Sequence, residues 1–232
     1  MRSTFYAHAR GGRSLASLMR CALVGWLVIA AHTAAAQSAV GGICGNPFQN
    51  HFGPFDFRRA PPYALMLVER KHLTPGIESL TQPGTTTLHL LASDVGYTLH
   101  VFPNHHRALI TMVRLGERHK SDQPPGARYT IDCYFQRGMQ YTPNDQLVRV
   151  IFATHLVKTN RKDQAITLLD DVLQRIDNPM THHTIGMIYL DMGEPDRALV
   201  QAHRAAVLGD PRKTLEDALK AKGAWREPGP AN

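Results

Sequence analysis

The sequence predicts a mainly α-helical protein, a short stack of helical hairpins preceded by an irregular N-terminal lobe. Three observations carry this reading. From about residue 105 onward, apolar residues recur at three- and four-residue spacing, the period of a helix face. Segments of that stretch match one another at an offset of 33 residues, the mark of stacked helical units. Glycine and proline cluster before residue 145, and 37–62 holds no regular period.

Residues 1–36 read as a secretory signal peptide. Arg2, Arg10, Arg13 and Arg20 stand in a segment without acids. The apolar run CALVGWLVIAA follows, and small residues occupy Ala34 and Ala36. The run is shorter than the roughly 20 residues a spanning helix needs, so cleavage is expected after Ala36, with no stable membrane insertion afterwards. Met19 is a second candidate start, and an uncleaved anchor is the alternative reading. The whole chain has 26 basic and 19 acidic residues. Removing the signal takes four arginines and no acid, leaving a modest +3. The high pI therefore reports mainly the leader, and nucleic acid is not expected as a partner. The expected location is periplasmic or secreted.

Residues 37–104 form the expected lobe, with one or two helices. GGICGNPFQNHFGPFDFRRAPP breaks any helix, yet Phe48, Phe52, Phe55 and Phe57 need a surface to pack on, which predicts an ordered strap. Tyr63–Glu69 is a short apolar run read as a strand or a buried extended piece. Thr74-Pro75 reads as an N-cap followed by proline at the first helical position. Leu88, Leu91, Val95, Leu99 and Phe102 mark a helix face that Pro103 ends, and Asn104 is placed to cap HHRALITMVRLGERH.

Residues 105–222 carry the repeats and a capping helix, and 223–232 a flexible tail. In Met180 to Leu208, Gly186 is followed by Tyr189, Gly193, Ala198 and Ala205 at offsets of three, four, five and seven. Ala153, Leu156, Asn160 and Ala165 stand 33 residues earlier, with Asn160 serving as the left-handed residue of the turn. Phe135 lies 34 before Leu169, so ARYTIDCYFQRGMQYTP reads as the second helix of an earlier hairpin. Asp210-Pro211 signals the start of the capping helix. Over about 105–222 this pattern resembles the tetratricopeptide repeat. It departs from the family at Ala202, where an aromatic is usual, and at His182, the tryptophan place. GPFDFR and FPNHHRAL also resemble segments of exported bacterial repeat proteins, a resemblance that implies no activity.

The resemblance implies a non-enzymatic module that holds a protein or peptide partner along a groove lined by the first helices of successive hairpins. Carried over, the groove places are Thr154, Val157 and Lys158 in one repeat and His183, Met187 and Asp191 in the next. No nucleophile elbow, phosphate loop or dinucleotide turn is present, and no cofactor is expected. Cys44 and Cys133 are the two cysteines left after cleavage. In an oxidising compartment they read as a disulfide tying the tail to a repeat helix, with free thiols as the alternative. The region after residue 36 holds 11 histidines. His105 and His106, beside the lobe, give the alternative function, a histidine-based metal or small-ligand binding protein of the periplasm. Their adjacency works against both facing one ion.

Overall fold

The computed structural model describes residues 43–81 and 87–228, with the backbone alone for 87–90. The expected signal segment and the expected cleavage point after Ala36 lie outside the described residues. The elements below belong to one unit that begins at Cys44. Among the described residues there are ten α-helices and no strand, so the fold is mainly α. They are α1 (Pro62–His72), α2 (Pro75–Glu78), α3 (Thr87–Val101), α4 (His106–His119) and α5 (Ile131–Tyr141). Then come α6 (Gln146–Lys158), α7 (Lys162–Leu173), α8 (Pro179–Asp191), α9 (Pro195–Val207) and α10 (Thr214–Ala221).

Side chains chosen for their oxygen start several of these helices. Thr74, Thr130 and Asn178 each accept the amide three residues on, which satisfies one of the donors that a helix start leaves open. The ends are equally regular. At the α6–α7 turn the Asn160 amide donates to the Val157 carbonyl (3.0 Å) and Arg161 to Leu156 (2.8 Å). Thirty-three residues on, Gly193 donates to Leu190 (3.2 Å) and Glu194 to Tyr189 (2.8 Å), the same Schellman closure. Asn160 has φ 59° and Gly193 φ 74°, so asparagine does occupy the left-handed place. The end of α4 repeats the closure at Lys120 and Ser121.

Three hairpins result: α4–α5, α6–α7 and α8–α9, with α10 laid on the last. Ala153, Ala165 and Ala198 are fully buried, and one continuous core runs from Leu73 to Leu219. Phe135 and Phe152 stack at 4.7 Å between the first and second hairpins. The second and third are joined at Tyr189, whose hydroxyl donates to Asp170 (2.8 Å) beneath the Arg197 guanidinium. Gly186 lets α8 approach its neighbours: a Cβ there would lie 3.2 Å from Cβ of Gln201 on α9 and would clash with Leu215 on α10.

Gly138 is the tightest point of α5. A Cβ would stand 2.7 Å from the Pro103 carbonyl oxygen and 3.3 Å from Val148. The first of these is backbone and cannot step aside. Gly138→Ala is therefore expected to cost about 2 kcal/mol through overpacking, a fall of roughly 4–8 °C in Tm for a unit of this size. An unchanged Tm in differential scanning calorimetry would contradict this crossing.

From residue 43 onward the strap is ordered, as the aromatics require. Cys44 and Cys133 form a disulfide, with Cα atoms 5.0 Å apart, that fixes the strap to α5. Arg137 Nη1 donates to the Cys44 carbonyl (2.9 Å), and the Tyr141 hydroxyl to that of Pro54 (2.8 Å). The Phe55 amide donates to Val101 O (2.8 Å) and that of Phe57 to Asn104 Oδ1 (2.9 Å). Phe52, Phe55 and Phe57 close a second small core over Ala64, Val68, Val101 and Phe102.

Five local expectations change, the first being that the lobe holds three helices, α1, α2 and α3, rather than one or two. Tyr63–Glu69 is helical, inside α1: Pro62 starts the helix, Ala64 and Val68 face inward, and seven residues are too few to display the period. His105, not Asn104, caps α4, because Asn104 is engaged by Phe57, Asp56 and Asp145. The last helix begins at Thr214, because Arg212 and His183 occupy the Asp210 carboxylate. Of the expected flexible tail, Ala224 and Trp225 pack on the core, and His203 of α9 bonds the Arg226 carbonyl at 2.8 Å. Among the described residues no helix is long and apolar enough to cross a membrane.

Candidate binding groove

The first helices of the first two hairpins, α4 and α6, lie side by side. Side chains spaced along each leave an open groove between them. Its upper part, about 410 Å³, is walled by Ile110, Val113 and Arg114 of α4 and by Ile151 and Thr154 of α6. Ile110 is 43 % exposed, a large apolar side chain left in solvent. Below it a cleft of about 570 Å³ reaches the α4–α5 loop and the α6–α7 turn. Glu117, His155 and Lys158 border both parts, so the two are continuous. Lys158 Nζ bonds Glu117 Oε1 at 2.7 Å across that boundary.

The lower part is polar and fixed. Asp132 opens α5 and is gripped by the Arg161 guanidinium from the α6–α7 turn. His155 Nε2 stands 3.5 Å from the same carboxylate. Burial opposes the charge on Asp132, but the hydrogen bonds and positive charge of Arg161, with His155 alongside, outweigh it. Its carboxyl is held well below the usual range and stays ionised. His155 is buried, its ring lying flat against Phe135 and Phe152. The groove thus has an apolar end and an end of fixed charge.

Thr154 and Lys158 line this groove. Val157 is half-buried and packs on the core beside it. The α8 residues of the expected set do not join them. His183 is buried under the C-terminal segment, its Nδ1 2.9 Å from Asp210 and its Nε2 2.8 Å from the Thr214 hydroxyl. This corrects its placement on an open face: α10 and the turn before it cover that part of α8. Met187 is half-buried against the core, and Asp191 is exposed at the end of α8.

Sequence reasoning missed Ile110, Arg114, Glu117, Ile151, Asp132, His155 and Arg161. The signal for the α4 residues was the turn. Aligning Lys120 with Asn160 sets α4 against α6 at an offset of 40 rather than 33. Arg114 then falls opposite Thr154, and Glu117 opposite Val157.

His105 and His106 point to different carboxylates. His105 is fully buried; its Nδ1 accepts the Ala108 amide (3.2 Å), so its proton sits on Nε2, facing Glu69 at 3.0 Å. His106 Nε2 donates to Asp145 at 2.9 Å. Asp145 is itself buried and also takes Asn104 Nδ2 at 2.7 Å. Among the described residues no group of three or more histidine, cysteine or acidic side chains is set to hold a metal ion. His105 ties α4 to α1 and His106 ties it to the start of α6, and both rings pack on Phe57 of the strap; they do not form one site.

Comparison with protein-family models, with curated proteins and with solved structures finds no match.

Proposed function

We propose that this chain is an exported, non-enzymatic interaction module of the tetratricopeptide kind, which holds a peptide or a segment of a partner protein in the α4–α6 groove. The observation that carries the reading is the uncovered groove itself. The strap engages the α1–α3 side and α5 from Cys133 to Tyr141, and none of its described residues lines the groove. The 33-residue match of the turns supports the repeat assignment. The disulfide is compatible with an oxidising compartment. A partner segment would seat an apolar side chain on Ile110, Val113 and Ile151 and set polar groups against the fixed charges below.

The test is selection of peptides from a displayed random library on the disulfide-bonded protein, followed by titration of the enriched sequences. Ile110→Glu places a charge on the apolar wall at an exposed position, so the fold is retained. It is expected to weaken the enriched peptides at least tenfold, the loss typical of a central anchor residue. Asp191→Arg, outside the groove, is expected to leave them unchanged. Failure to enrich any sequence, or equal binding by the Ile110→Glu protein, would remove the groove from the proposal.

A further inference from the structure

A second cleft, of about 260 Å³, opens between α3 and the loop that leads into α5. Its wall includes Asn50 of the strap, Ser93, Gly96 and His100 of α3, Arg128 of the loop, and Tyr134 of α5. Two polar atoms in this wall have nothing to bond. Tyr134 is 1 % exposed, and its hydroxyl is buried without a hydrogen-bond partner. The amides of Arg128 and Tyr129 approach that hydroxyl, yet none completes a hydrogen bond. The His100 ring donates from Nδ1 to the Gly96 carbonyl at 2.6 Å, which leaves a lone pair on Nε2, also buried and unpartnered. Gly96 makes the room: a Cβ there would stand 2.8 Å from the Tyr134 oxygen.

Positive charge gathers at the same place without an answer. The Arg128 guanidinium carbon lies 5.3 Å from the centre of the Tyr129 ring, and that of Arg137 lies 5.0 Å from it. Tyr129 in turn lies beside His100 and Tyr134, with ring centres 5.6 and 5.8 Å away. Arg137 is 2 % exposed; it donates to the Cys44 carbonyl, and its Nε has no partner. All 19 aspartate and glutamate residues of the sequence fall within the described segments, and none of them pairs with Arg128 or Arg137. No acidic side chain elsewhere in the chain is left to supply the missing counter-charge. A guanidinium in the wall of the cleft, Arg128, and a buried one against Tyr129, Arg137, both lack a carboxylate, and two polar atoms of the same wall are unmet, an arrangement that an incoming anion completes.

We propose that this cleft binds a small oxyanion that also carries a hydroxyl, either hydrogen phosphate or a short hydroxy acid. The oxyanion takes the Arg128 guanidinium and the Tyr134 hydroxyl, and Arg137 adds its charge from behind Tyr129. The ligand's hydroxyl donates to His100 Nε2. The site is separate from the α4–α6 groove, and neither reading depends on the other.

The test is thermal unfolding and calorimetric titration of the disulfide-bonded protein with sodium phosphate and sodium L-lactate, against sodium chloride at matched ionic strength. Saturable stabilisation by phosphate or lactate beyond chloride is expected, and the arm that saturates identifies the oxyanion. Arg128→Gln, at an exposed position, and Tyr134→Phe are each expected to weaken binding at least fivefold. Tyr134→Phe removes a hydroxyl that bonds nothing, so its unliganded Tm is expected to match the parent's, which separates lost affinity from lost fold. Phosphate and lactate both behaving as chloride would overturn the proposal. So would binding that is unchanged in both variants.

Discussion

Replacing Cys44 and Cys133 by alanine is expected to lower the stability of the folded unit by up to about 4–5 kcal/mol. The bond spans 89 positions of sequence. In the chain-entropy account, closing a loop of that length removes about 4–5 kcal/mol of freedom from the unfolded chain. The native side offers partial compensation. Arg137 to Cys44, Tyr141 to Pro54, Phe55 to Val101 and Phe57 to Asn104 are four further attachments of the strap. Each contributes about 1 kcal/mol net, and the aromatic core beneath the strap adds to them. The strap is therefore expected to remain docked at neutral pH in the variant, while the whole unit melts earlier. Urea unfolding of the oxidised parent and the double variant measures the difference. A change below about 1 kcal/mol would mean that the unfolded chain already keeps the strap near α5, and that the covalent link adds little. Limited proteolysis at Arg58-Arg59 gives the local readout. Cleavage before global unfolding would show that the strap depends on the bond more than on its hydrogen bonds.

The helices of the stack were legible in the sequence because their period and their turns are local facts. Asn160 and Gly193 share a left-handed place, and Gly186, Ala198 and Ala165 are small because helices cross there. The disulfide was legible from the parity of the cysteines and from the basic, then apolar, N-terminal segment that reads as a leader. What sequence reasoning missed is tertiary. Tyr63–Glu69 gave too short a window to separate a helix from a strand, and two prolines decided it. Asn104 has the right chemistry for a cap. The neighbouring histidine caps instead, because strap and stack both compete for the asparagine. His183 has a groove-facing register, but the turn at Asp210 folds over it. The α4 wall of the groove was hidden by the long loop after α4, which shifts the repeat offset from 33 to 40. Arg128, Arg137, Tyr134 and His100 come from three separate segments, and no spacing rule brings them together.

Acid is expected to destabilise the protein over the range from about pH 6.5 to pH 4, and His105 is the main cause. Burial pushes its pKa down to about 4, against the pull of the Glu69 carboxylate and with the help of the Arg107 charge. In the unfolded chain the ring returns to an ordinary value near 6.5. Above that pH it is neutral in both states and contributes no slope. Between 6.5 and 4 the unfolded chain takes up a proton that the folded protein refuses, so unfolding becomes steadily easier as pH falls. Below 4 both forms are protonated and the loss is complete. At about 1.4 kcal/mol per pH unit the total is on the order of 3 kcal/mol. The mechanism is specific: Nδ1 uses its lone pair to accept the Ala108 amide, and a proton there would remove the cap of α4. His100, also pushed down by burial, adds to the slope in the same direction. Asp56, Asp177 and Asp210 are held down near 2, so their protonation begins to matter only at lower pH. His105→Asn keeps an acceptor at the cap and has nothing to titrate. Urea unfolding at intervals from pH 7.5 to 4.5 is expected to show a steep fall for the parent and a shallow one for this variant. The variant starts lower at pH 7.5 because the bond to Glu69 is gone. Parallel curves would move the acid sensitivity from the α4 cap to another histidine.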